Sequence, residues 1–291
     1  MNPMFYTLVG LPGSGKTEQA KRLNSQFGAV IHSNRCGDAS VLCEKVIEDL
    51  SSGKHVVIDA PNISYKERMG LLDQIKDIEC QKICLFMATP FEVCIERNEA
   101  RDRVVPTELL DRMYKSIWIP NLYEGWDYVE LVYPDGFLQR DVAELFNGEN
   151  GLNFIEQDNP RHAFTVGQHC IAAFGSVGDA SKELQEATLL HDIGKPYTKS
   201  FINKKGEVTE AASYHNHHHV SAYDSLFYSD ADCDRLYVAA LIQWHMRLFE
   251  LERMENPDNA IKKFKRFVGE KLYADIAELH RADISARGIQ N

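Results

Sequence analysis

The sequence predicts an α/β first half, a parallel sheet with helices on both faces, followed by an all-α helical bundle. Short, almost wholly apolar runs alternate with helix-length amphipathic segments up to about residue 133. A glycine-rich, phosphate-cradling loop, GLPGSGKT at residues 10–17, joins the first apolar run to the first helix. Beyond the linker-like run FNGENGLN at 146–153 the strand pattern stops and helical periodicity takes over.

Taken in order, MFYTLVG reads as a strand, KTEQAKRLNSQF as a helix with Ala20 and Leu23 facing inward, AVIH as a strand and ASVLCEKVIEDLSSG as a helix. HVVIDA is a buried strand, SYKERMGLLDQIKD a helix and KICLFMA a strand. FEVCIERNEAR and PTELLDRMYKSI are helices flanking a basic loop, and YVELVY is the last strand. After the linker come TVGQHCIAAFGSVG, KELQEATLLHDIG, HHHVSAYDSLFY, DRLYVAALIQWHMRL, AIKKFKRFVG and KLYADIAELHRADISAR, all helical, with FINKKGEVTEAASY as a polar hairpin or loop among them. The expected domains are 1–147 and 152–291.

The chain has 291 residues and a net charge of -11, shared evenly: 16 Lys+Arg against 22 Asp+Glu in 1–147, and 16 against 21 in 148–291. Neither half is basic, which argues against non-specific duplex binding. The one dense basic run, IKKFKRF at 261–267, reads as a solvated helix face, with a phosphate-tracking stripe as the alternative. Seven cysteines without paired spacing, Cys80 and Cys84 among them, read as reduced thiols, and MNPMFYTLVG leads straight into the loop rather than forming a signal peptide. A cytoplasmic protein with no membrane span is the expectation.

In the loop, Gly10, Gly13, Ser14 and Gly15 let backbone N–H groups turn toward one point. Lys16 reaches the β- and γ-phosphates of ATP, the Thr17 hydroxyl meets Mg²⁺, and the helix starting there adds its dipole. Asp59, ending VVIDA, stands where an acidic residue holds that Mg²⁺ or its water. Arg97, Arg101 and Arg103 in IERNEARDRVVP make a lid that stabilises transition-state charge.

In the second half, adjacent His191 and Asp192 in the apolar stretch ATLLHDIG are costly to bury without a metal. Imidazole and carboxylate suit a divalent transition ion such as Mn²⁺, Ni²⁺, Co²⁺ or Fe²⁺. His169, His191, Asp192 and Asp283 supply four ligands from separate helices. His218 and His245 are the natural ligands for a second ion; within HNHHHV the helix register leaves His215, His217 and His219 as alternatives. Two ions sharing Asp192 clamp a phosphate and ready a water nucleophile at neutral pH. His162 and His280 are not expected to be ligands, and Lys195, one turn beyond the pair, either meets a substrate phosphate or is an exposed helix-end residue.

VVIDAPNISYKERMGLL, TPFEVCIERNEARDRVVPTELLDRMYKSIWIP and EGWDYVELV resemble the P-loop kinase domain of phage-type 5'-OH polynucleotide kinases, over most of residues 4–133. The resemblance implies that Lys16 and Thr17 serve ATP and Mg²⁺ and that Arg97 and Arg101 are lid arginines. That family carries a general-base Asp just after its second strand; here the position falls near Asn34, with Asp38 the nearest carboxylate. FTVGQHC, LLHDIGKP, HHVSA, LIQWH and RADISARG, over about 153–290, resemble the HD-domain phosphohydrolase superfamily, particularly the HD domain attached to some tRNA nucleotidyltransferases. His219 stands where that superfamily usually has Glu.

Together the resemblances imply a bifunctional end-healing enzyme, an ATP-dependent 5'-OH polynucleotide kinase joined to a metal-dependent 2',3'-(cyclic) phosphate phosphohydrolase. Its partners would be RNA ends, tRNA included, or DNA ends, and a separate ligase. The alternative is a nucleotide-gated HD phosphohydrolase or nucleotidase whose P-loop domain senses NTP without transferring phosphate.

Overall fold

Runs such as FYTLVG and VVID bury both faces, so they need cover on both sides, and the sheet they form is parallel throughout. The computed structural model describes residues 2–33, 39–160, 162–203 and 205–288. These divide into two compact units, Met1–Phe137 and Leu138–Asn291.

The first unit runs β1 (Met4–Val9), α1 (Lys16–Phe27), β2 (Val30–Ser33), α2 (Ala39–Ser51), β3 (Val56–Asp59), α3 (Tyr65–Gln74), β4 (Gln81–Met87), α4 (Phe91–Glu99), α5 (Thr107–Tyr114) and β5 (Tyr128–Val132). The strand order is β2-β3-β1-β4-β5. β1 is therefore central, with Phe5 level with Val56 of β3 and Tyr6 level with Ile83 of β4. Alternate residues of β1 serve opposite faces. Tyr6 and Leu8 pack with Ala20 and Leu23 of α1, while Phe5 stacks on Trp126 at 6.4 Å between ring centroids. The chain crosses from β3 to β4 past β1, so the carboxyl ends of β1 and β3 open a crevice there.

The second unit contains α6 (Val142–Asn147), α7 (Val166–Ser176), α8 (Lys182–Leu190), α9 (Lys195–Thr198), β6 (Lys199–Ile202), β7 (Val208–Tyr214), α10 (His217–Tyr228), α11 (Arg235–Trp244), α12 (Arg247–Leu251), α13 (Pro257–Val268) and α14 (Glu270–Ser285). β6 and β7 form the antiparallel hairpin expected from FINKKGEVTEAASY. α8, α10 and α11 pack on one another, and α7 and α14 close the bundle against α8.

Three expectations are revised. The division falls at Phe137/Leu138 rather than near 148–151, because α6 and the short 3-10 turn Leu152–Phe154 pack together within the second unit. The helix expected over 234–248 ends at Trp244 and restarts as α12 at Arg247. The His191-Asp192 pair lies in a turn just past α8 rather than inside it. No helix among the described residues is long and apolar enough to cross a membrane.

Candidate functional site

In the first unit the loop after β1 wraps tightly. Gly13 has φ 85, and a Cβ there would sit 2.4 Å from the carbonyl oxygen of Cys94, so the position requires glycine. Lys16 is buried, and its Nζ donates to the carbonyls of Gly10 at 2.9 Å and Leu11 at 2.7 Å. Burial pulls its pKa down to about 8, against the opposing pull of Asp59. The Thr17 hydroxyl donates to Asp59 Oδ2 at 2.8 Å, which sets a hydroxyl and a carboxylate side by side where a phosphate-bound Mg²⁺ takes such ligands. Gly10 N–H donates to the Pro61 carbonyl and the Thr89 hydroxyl to that of Ser14, tying the loop to β3 and β4.

Gly13, Lys16, Thr17, Asp59 and Pro61 line a cleft of about 750 Å³ that also takes in Gly15, Arg97, Arg101 and Arg103. The buried amide of Asn98 holds the arginine loop shut: its Nδ2 donates to the Val105 carbonyl and its Oδ1 accepts the Val105 N–H. In the sequence Asn98 is one polar residue of the run IERNEARDRVVP, and its pairing across seven residues exists only in the fold. Asn34 and Asp38 lie outside the described residues.

In the second unit five elements deliver polar side chains to one point. His169 comes from α7, His191 and Asp192 from the turn after α8, His217 from the start of α10, His245 from the end of α11 and Asp283 from α14. All six are buried. His169 Nε2 and His191 Nε2 are 3.2 Å apart, and each lies 3.2–3.3 Å from Asp192 Oδ2. On the other side of the same carboxylate, His217 Nε2 is 3.2 Å and His245 Nε2 3.9 Å from Asp192 Oδ1, with the two nitrogens 3.2 Å apart. Asp283 Oδ1 stands 3.2 Å from His169 Nε2.

The donor chemistry of these rings fits a cation. Each Nδ1 sits against a backbone carbonyl: His169 on Ala286 at 3.0 Å, His191 on Thr188 at 2.8 Å, His217 on Tyr214 at 2.7 Å and His245 on Ile242 at 2.6 Å. Those carbonyls require Nδ1–H, so in the neutral rings every Nε2 presents a lone pair inward. Paired acceptors facing each other beside carboxylates need a positive charge between them. Ligands sharing an ion at ~2.1 Å in octahedral geometry lie about 3.0 Å from one another, close to the separations here. The cluster forms two groups, His169–His191–Asp192 and Asp192–His217–His245, with Asp192 common to both. The two groups could each hold an ion, with the Asp192 carboxylate available to both.

The electrostatics show the same demand for positive charge beside the carboxylates, which in the absence of a cation draws a proton onto one ring. Burial works against protonating His169, but Asp192 and Asp283 outweigh it and lift the ring to about 9. Burial, then the imidazoles of His217 and His191, push His245 down to about 3. Burial would raise Asp192, yet the charges around it, His191 and Lys195 first, hold it well below the usual carboxylate range. Lys195 is buried, with Nζ 2.5 Å from Asp192 Oδ2 and donating to Gln157 Oε1 at 2.8 Å. Gln157 was not anticipated, being a lone polar residue in sequence. Its side chain also donates to the Phe164 carbonyl, and its own carbonyl accepts the Tyr214 hydroxyl.

The second group holds His217, where His218 was expected. Asn216 takes a left-handed conformation, φ 64, so α10 starts at His217 and points that ring inward. One residue later the helix has turned about 100°, and His218 lies against His219 at 4.1 Å between centroids and edge-on to His245 at 6.2 Å, outside both ligand groups. His280 is apart from the cluster and pairs with Glu252 at 3.3 Å. Gly194 explains how the His191-Asp192 turn reaches α10. A Cβ there would lie 2.6 Å from the His217 carbonyl oxygen, and its N–H donates to Ser221 Oγ at 2.9 Å.

Comparisons with known proteins follow this division. Residues 37–118 match the family model described as AAA domain, and residues 161–284 match the HD domain. The L-seryl-tRNA(Sec) kinase of Methanococcus maripaludis is 24% identical over 179 residues, covering 53% of this chain and 70% of that protein. A gluconokinase structure from Sinorhizobium meliloti covers 45% of this chain and 83% of its own at 16% identity, with a TM-score of 0.35. The chain thus joins a P-loop, kinase-like α/β domain to a helical domain that matches the HD domain.

Proposed function

We propose that this chain heals broken RNA ends. The P-loop half would transfer the γ-phosphate of ATP to a 5'-hydroxyl, and the helical half would remove a 2'- or 3'-phosphate or open a 2',3'-cyclic phosphate. The observation that carries the reading is the presence in one chain of an arginine-fringed phosphate cleft and a bridged imidazole–carboxylate cradle. Both products are what a ligase requires at one break. The name of the Methanococcus maripaludis relative gives it an RNA-linked substrate, which favours RNA over a free sugar.

In the kinase half, loop amides and Lys16 bind the β- and γ-phosphates, and Thr17 with Asp59 holds Mg²⁺. Arg97 and Arg101 offset charge on the transferring group, and Asp38 is the carboxylate assigned to take the hydroxyl proton. In the helical half, His169, His191, Asp192 and Asp283 hold one ion and Asp192, His217 and His245 the other. Bound there, the ions supply Lewis-acid neutralisation of phosphate oxygens and a water nucleophile at neutral pH. Lys195, fixed by Gln157, orients Asp192 and adds positive charge beside the phosphate.

Asn34 in place of the expected base favours a second reading, a P-loop domain that senses nucleotide without transfer. Labelled γ-phosphate and 5'-OH RNA separate the two. Label on RNA with the wild type but not with Lys16→Ala supports end-healing. ATP binding without label supports the sensor. Asp192→Ala is expected to abolish hydrolysis of 2',3'-cyclic phosphate ends while any transfer persists; joint loss of both activities in a folded variant refutes two separate sites.

A further inference from the structure

Two nitrogen atoms beside the cradle have no use in the scheme above. His162, on the loop before α7, sets its ring edge-on to that of the ligand His169, with centroids 5.3 Å apart at 86°. Lys195, Asp192, His169 and Asp283 all act on it electrostatically, so it lies beside the cradle. Its Nδ1 is buried and has no hydrogen-bond partner among the described residues. Arg287, just past α14, holds its guanidinium over the Phe249 ring at 4.9 Å, with an Nη2 4.0 Å from Asp283 Oδ2. Its Nε is likewise buried without a partner among the described residues.

The two residues belong to one tied segment. Ala163 N–H donates to the Arg287 carbonyl at 3.1 Å, and the carbonyl of the preceding residue, Ala286, accepts from His169. Buried polar atoms are nearly always paired, and an unpaired one is costly to keep. Arg287 Nε can only donate, and His162 Nδ1 donates in the tautomer that carries its hydrogen there, so the two on one tied segment next to an ion cradle point to a ligand that brings acceptors. The cradle already has four imidazoles and two carboxylates, so a further imidazole is not needed to complete it. A tetrahedral oxyanion seated on the ions would offer oxygens to the rim, and Arg287 suits such oxygens through charge-assisted hydrogen bonds.

We infer that His162 and Arg287 form an anion-binding subsite that grips the non-reacting oxygens of a phosphate bound at the cradle. This rests on reading the helical half as a phosphohydrolase. His162 and Arg287 are positioning residues for that phosphate, and they leave metal binding to the six cradle residues.

The test is calorimetric titration of the full, Mn²⁺-loaded chain with inorganic phosphate, with metal content measured by elemental analysis on the same samples. His162→Ala and Arg287→Met are expected to keep wild-type metal content and to weaken phosphate binding by about tenfold each. Arg287→Lys is expected to recover part of the loss. If either alanine or methionine variant fails to fold, His162→Gln and Arg287→Lys are read in the same titration. Unchanged phosphate affinity in the variants overturns the inference, as does absence of phosphate binding by the wild type. Loss of metal in His162→Ala also overturns it, by making that residue a ligand. Phosphate binding that depends on both residues, in a protein that cleaves neither phosphomonoester nor cyclic phosphate, upholds the subsite and refutes the end-healing reading.

Discussion

His169 Nε2 and His191 Nε2 face each other 3.2 Å apart while both Nδ1 atoms are committed to backbone carbonyls. Two acceptors in that position repel unless a proton or an ion lies between them. Removing divalent ions is therefore expected to destabilise the helical unit. With ion at a hundred times its dissociation constant, the stabilisation lost is about 3 kcal/mol. Calorimetric unfolding with chelator, followed by titration with Mn²⁺, checks it; a transition indifferent to both would contradict the cradle.

His217 and His218 adjoin in sequence but differ in role. His217→Ala is expected to lower metal affinity and phosphoester hydrolysis by on the order of 100-fold, at least matching losses seen when supporting residues of metal sites are removed. His218→Ala, which removes a ring packed on His219, should change affinity by less than about threefold. Equilibrium metal titration of both variants decides between them, and equal losses would mean that the start of α10 is set differently.

Lys16 must be protonated to attract phosphates, and burial has brought it down to about 8 in the free protein. Bound phosphate favours the charged form and raises the value again. Nucleotide binding should therefore be unaffected by pH below about 8 and weaken above it, by up to tenfold per pH unit, with proton uptake on binding. Titrations near pH 8.5 in buffers of different ionisation enthalpy measure that uptake. No uptake would mean that Lys16 stays charged in the free protein.

Arg68 and Glu124 form a fully buried pair, Nη2 to Oε1 at 2.6 Å and Nε to Oε2 at 2.8 Å, and Trp126 donates to the same carboxylate at 3.0 Å. Arg68 also donates to the carbonyl of Asn62, whose side chain holds the Leu8 carbonyl beside the phosphate loop. Arg68→Met leaves Glu124 charged and unpaired, and is expected to cost about 3–5 kcal/mol. Denaturant unfolding followed by tryptophan fluorescence reports it, and the double variant Arg68→Met with Glu124→Leu should recover much of the loss.

Where chemistry is local in the chain, the sequence determined it. The apolar strand runs, the phosphate loop with Lys16 and Thr17, and the adjacency of His191 and Asp192 each depend on residues within one turn or strand, so composition and spacing are enough. Tertiary structure alone decided the rest. It made His217 rather than His218 the inward ring, because the left-handed Asn216 starts α10 there. It ended α8 before the metal pair and pressed Gly194 against α10, drew α6 into the second unit, and set His162 and Arg287 beside the cradle. Five elements must converge for six side chains to surround one point, and that convergence comes from how the helices pack, which no local pattern encodes.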